Sequence, residues 1–103
     1  LKMNFMRKEE NRMTDVKIEH NPDRKRLEEM GVFDWPIWEK EPSRFDWYYD
    51  TEETCYLLEG KVKVELEGGK IVEFGAGDLV VFPEGLRCVW DISEKVKKHY
   101  KLG

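Results

Sequence analysis

A chain of 103 residues, 40% hydrophobic and 13% aromatic, supports one domain with one core and leaves no room for a second. Its net charge of −4 is spread without a block of like charges, which argues against a nucleic-acid partner, since such partners are held by clustered Lys and Arg. No apolar run approaches the length of a membrane span, and the first residues lack the apolar core of a signal peptide, so a cytoplasmic protein with no membrane partner is expected.

Residues 1–12 mix Met, Asn and charges without a period and are expected to be a mobile extension, with Met13 as a candidate start. Val16-Lys17-Ile18 reads as a first strand. Asn21-Pro22 reads as a helix start, with Asn as cap and Pro at the first helical position, and Gly31 suits the left-handed stop after Met30.

From Trp35 the texture is β. Strands are expected at Ile37–Lys40, Phe45–Asp50 and Thr54–Leu58. Lys61 to Glu67 alternates strictly, with Val62, Val64 and Leu66 on one face and charges on the other. Gly68-Gly69 then predicts a tight type I′ hairpin into Ile71–Phe74, because that turn needs positive φ at both central residues. Further strands follow at Leu79–Phe82, Leu86–Trp90 and Val96–Leu102. Many short strands with one polar face predict an all-β antiparallel barrel or sandwich with a short N-terminal helix. Closure into a barrel would also remove exposed edges. The charge-rich composition, 39% Asp, Glu, Lys and Arg without any Gln, follows the drift associated with hyperthermophiles. Two cysteines, Cys55 and Cys88, in a chain with its own core favour free thiols over a disulfide framework.

Two segments carry a resemblance. Gly77, five residues, Pro83-x-Gly85, two residues and Cys88 resemble the second motif of the cupin family, with cysteine where the family has a metal-binding histidine. Trp47-Tyr48-Tyr49, three residues, Glu53, six residues and Gly60 resemble the first motif, with aromatics at both histidine positions and Glu53 at the motif glutamate. The chain from about Val32 to Leu102 is similar to a subgroup related to ureidoglycine aminohydrolase and ethanolamine-utilisation cupins. Trp38-Glu39, Phe45-x-Trp47-x-Tyr49, Glu53 to Tyr56, Trp90 and Val96 to Tyr100 carry that similarity. It implies a single jelly-roll barrel over residues 13–103, and a homodimer. It implies little about reaction, because this fold hosts many functions.

The resemblance also implies that Trp47, Tyr49, Glu53 and Cys88 point into the barrel around one spot. The family's three-histidine metal site is absent, and no cofactor is expected. Glu39 could point inward beside Glu53 and Cys88 and give a mixed oxygen and sulfur metal set. His20 and His99 stand at no motif position and read as surface or structural histidines. Glu53, a carboxylate among aromatics, requires a hydrogen-bonded network, with Tyr49 or Arg44 as candidates, or a ligand contact.

The leading expectation is a small-molecule binder, with Trp38, Glu39, Arg44, Trp47, Tyr49 and Trp90 around the ligand. Residue types alone favour a cationic or amide-bearing one. The alternative is an enzyme, a lyase, isomerase or amide hydrolase, using Glu53 as acid or base with Cys88 as nucleophile or with a metal. A third reading is an interaction module whose barrel is filled with side chains. The charges of the hairpin and of the Lys95 to Lys101 series read as solvated outer faces.

Overall fold

The computed structural model describes residues 15–103, so the expectations for the N-terminal extension lie outside it. Seven strands and one helix follow in chain order: β1 (Lys17–His20), α1 (Arg24–Met30), β2 (Ile37–Lys40), β3 (Ser43–Tyr48), β4 (Glu53–Leu66), β5 (Ile71–Gly75), β6 (Asp78–Phe82) and β7 (Arg87–Leu102). Every strand pairing is antiparallel. The order β1-β6-β4-β7-β2, with β3 also on β7 and β5 also on β4, curls into a barrel. The all-β antiparallel expectation holds.

Two long strands make the frame. β4 joins what the sequence divides into two strands, and β7 joins another two. The join in β4 has a visible mechanism. Glu53, Cys55 and Leu57 are buried before it, and Val62 and Val64 after it, so the inward phase changes from odd to even residues. Register shifts between Leu57 and Val62 insert the change. Gly60 sits there at φ +120°, and an added Cβ would lie 2.9 Å from Lys95 O and Val96 Cα. Only glycine lets the two strands approach so closely at that φ.

The hairpin differs slightly from expectation. Gly68 and Gly69 both take positive φ, 89° and 93°. The reversal nevertheless includes Glu67, since Leu66 N–H donates to Lys70 O at 2.7 Å and Gly69 N–H to Leu66 O at 3.1 Å. The helix start also differs. Asp23, not Asn21, precedes α1, and Asn21 instead adopts φ 49° and donates its N–H to Gly77 O. Asn tolerates that left-handed geometry better than other side-chain-bearing residues. Gly31 ends the helix at φ 78°, as its position predicts.

The barrel interior is packed by Tyr49, Leu57, Val62, Val64, Phe74, Phe82, Trp90, Ile92 and Val96. Outside it, α1 and the following turn bury Leu27 and Val32 against Leu79, with Phe33, Trp35 and Tyr56 around them. This covering layer accounts for His99. Its Nδ1 lies 2.9 Å from Trp35 O and its ring meets Phe33 edge to face. His20 lies 2.7 Å from Asp78, whose other oxygen accepts from Gly75 N–H at 2.8 Å. Both histidines hold local structure, as expected.

Candidate functional site

One end of the barrel keeps open space of about 220 Å³, walled by Trp38, Phe45, Trp47, Tyr49, Trp90 and Tyr100, with Glu53 and Lys98 in the wall. Each side chain arrives by strand alternation. β3 turns Phe45 and Trp47 inward, β2 supplies Trp38, β4 begins with Glu53, and β7 supplies Trp90, Lys98 and Tyr100. Cross-strand register sets the aromatic contacts: Phe45 stands opposite Trp90 and stacks on it, with ring planes 17° apart. Trp38 meets Trp90 edge to face at 6.0 Å. Trp90 Nε1–H donates to Tyr49 Oη at 3.1 Å. Trp47 is 45% exposed and forms the rim.

The centre of the site is an ion pair that the sequence reading did not contain. Lys98 Nζ lies 2.6 Å from Glu53 Oε2, with the two residues only 5% and 6% exposed. The same ammonium sits over the rings of Trp38 and Trp90 at 4.8 and 4.9 Å. One carboxylate and two indole faces therefore surround it, the partners a buried cation needs. The expected partners of Glu53 were Tyr49 or Arg44. Lys98 takes that role because Val96, Lys98 and Tyr100 share the inward face of β7. Reading the Lys95 to Lys101 series as wholly outward overlooked that Val96 and Tyr100 fix its phase.

Three expected site residues stand elsewhere. Glu39 is on the outer face, 3.4 Å from Lys95, and so cannot join Glu53 in a ligand set. Arg44 is also outside, bonded to Glu65 at 2.5 Å and near Asp91 at 3.4 Å. Its hydrogen bond, reinforced by its charge, holds the Glu65 carboxyl below its ordinary range. Cys88 points into the barrel but borders a separate open hollow with Trp47, Tyr48, Leu66 and Arg87. Its Sγ lies 3.8 Å from Trp47 O, and burial raises the thiol to about 11. Burial raises Cys55, enclosed in the core, to about 12. Cys88 stands opposite Trp47 and Leu66, Cys55 opposite Val80 and Tyr100, and both are free. Tyr49 keeps its proton even more firmly, through burial first and the charge of Glu53 second.

The metal of the fold family does not fit this donor set. Among the described residues no three His, Cys, Asp or Glu side chains converge. The cation beside Glu53 is the chain's own ammonium, and bulky aromatics hold the two histidine positions. Among the polar valences of the lining residues are the second oxygen of Glu53 and the hydroxyl proton of Tyr49. Neither has a partner among the described residues.

Solved structures place the fold. A DUF861 family protein from Thermotoga maritima is 60% identical, with TM-score 0.84 over 86% of this chain and 100% of that one. A DUF861 family protein of unknown function from Pseudomonas syringae is 28% identical, with TM-score 0.60, over 65% of this chain and 29% of its own. The Clostridium difficile EutQ protein, 21% identical with TM-score 0.59 over 84% of this chain and 66% of that one, shares the fold. No curated protein matches. The sequence pattern of the EutQ-like cupin domain matches residues 27–100, and the motif residues and barrel described above are those of such a domain: the chain belongs to the EutQ-like cupin family.

Proposed function

We propose that the barrel binds a small uncharged molecule that is mostly apolar and carries a hydrogen-bond donor beside an acceptor, as a primary amide does. The observation that carries this reading is the buried Glu53–Lys98 pair set in an aromatic cavity of about 220 Å³. The pair makes the wall formally neutral, so neither a cation nor an anion gains a net counter-charge on entering and each still loses its hydration. A ligand ammonium would have to share Glu53 with an ammonium already in contact. Of the two ligand types that residue composition favours, the amide therefore suits the site better. Its N–H would meet the free oxygen of Glu53, its carbonyl the Tyr49 hydroxyl, and its apolar part the indole and phenyl faces. The space is below the usual range of drug-sized pockets, which limits the ligand to about ten heavy atoms. Such open space also weighs against a barrel filled by its own side chains.

A matched series tests the reading: benzamide, benzoate and benzylammonium, titrated against tryptophan fluorescence and ligand-observed NMR. Benzamide is expected to bind most tightly, and Trp47→Ala and Glu53→Gln each to weaken it at least tenfold. Tighter binding of either charged member, or amide binding unchanged by both substitutions, would refute it.

A further inference from the structure

Among the described residues Lys98 is the only buried lysine; the others are exposed or half-buried. An ammonium carries three N–H donors. Lys98 Nζ has one hydrogen-bond acceptor among the described residues, Glu53 Oε2 at 2.6 Å. Its other neighbours are the faces of Trp38 and Trp90, at 4.8 and 4.9 Å, and the residue lines the open space of the cavity. The surroundings thus offer one acceptor to three donors, together with a wall that favours a positive charge. A protonated imine suits them better than an ammonium does. It keeps the charge that pairs with Glu53 and lies against the indoles, and it has a single N–H. Its carbon substituent takes the apolar space.

We propose that Lys98 condenses reversibly with a small, mostly apolar aldehyde and holds it as a protonated imine, which rests on the reading of the cavity as a pocket for small uncharged molecules. The hydrogen bond to Glu53 gives one ammonium proton a direct path to the carboxylate and frees the electron pair of Nζ, as a nucleophilic lysine requires. That pair attacks the carbonyl carbon while the C=O π electrons move to oxygen, where the Tyr49 hydroxyl donates its free proton as a hydrogen bond. Trp90 joins the two groups, since its Nε1–H donates to Tyr49 Oη at 3.1 Å and its ring lies against Lys98. The oxygen then takes the proton held by Glu53, and a second from the nitrogen, relayed by the same carboxylate. The C–O bond breaks, water leaves, and the nitrogen pair closes the C=N bond. One N–H and one positive charge stay on nitrogen, and Glu53 is again a carboxylate. Ammonium and aldehyde have become protonated imine and water, with nothing oxidised or reduced.

Benzaldehyde is the probe, with sodium cyanoborohydride to reduce any imine to a stable benzylamine, and peptide mass spectrometry of the full chain locates the benzyl groups. Labelling of the unaltered protein is expected to concentrate on Lys98, about tenfold faster than on any other lysine. That preference should vanish in guanidinium-unfolded protein. Glu53→Gln, shown by circular dichroism to be folded, keeps the amine but loses the proton acceptor and should label Lys98 several-fold more slowly. Lys98 labelled no faster than the surface lysines, a preference that survives unfolding, or one untouched by folded Glu53→Gln, overturns the proposal even where benzamide binds. Fast labelling of Lys98 in a protein that does not bind benzamide supports it and removes only the amide reading.

Discussion

Lys98 decides the character of the site. Buried charges are tolerated only when paired, and removing one partner leaves the other without compensation, at a cost of about 3–5 kcal/mol. Lys98→Met and Glu53→Gln should each destabilise the protein by roughly that amount, while the double variant loses far less than the sum. Urea unfolding of the four proteins measures this coupling, and additive losses would show that the pair is not held as described. The two thiols make a separate expectation about pH. Burial raises both above their ordinary value of 9.0, Cys88 to about 11 and Cys55 to about 12. The folded state therefore holds these protons more tightly than the unfolded state. Their contribution to stability is complete below about pH 9 and falls as pH rises through the folded values. Denaturation midpoints between pH 7 and 11 should drop at the alkaline end, and less so in a Cys55→Ala/Cys88→Ala variant. Glu53, Trp47 and Tyr49 were legible from the sequence because the resemblance of their segment to the family's first motif implied that they point inward. Glu39 and Arg44 were misplaced because short strands cannot show which face is inward without a buried neighbour to anchor them.

Among the elements, β4 departs most from its sequence pattern. The alternation of Val62, Val64 and Leu66 was plain, and so was that of Glu53 and Cys55, but their phases conflict unless an irregularity lies between them. Gly60 marks that irregularity. Its meaning depends on Lys95 and Val96 of β7, remote in sequence, so no local pattern could reveal it. Gly60→Ala combines positive φ with a 2.9 Å clash against backbone, and should destabilise by about 2 kcal/mol or more. For a chain of this size that corresponds to a fall in Tm of about 10 °C, readable by calorimetry. Gly68→Ala, with nothing within 4 Å of the added Cβ, should cost less because only its φ of 89° is at fault.

At the scale of the whole molecule, fold class was readable from turns and alternation, and a closed barrel rather than a sandwich was what the resemblance of the two motif segments implied. Which strand would organise the barrel was not readable. The sequence suggested many short strands, yet the single long β7 pairs with β2, β3 and β4. Such pairing is a tertiary outcome, set by distant segments that share an inward phase. One consequence concerns synthesis. As the ribosome releases the chain from its N-terminal side, β2 and β3 emerge early with no strand to join, and β4 finds only the short β5 and β6 until β7 follows. The barrel cannot close until Leu102 has cleared the exit tunnel, so apolar faces of the earlier strands stay uncovered until then and the barrel completes in one concerted step.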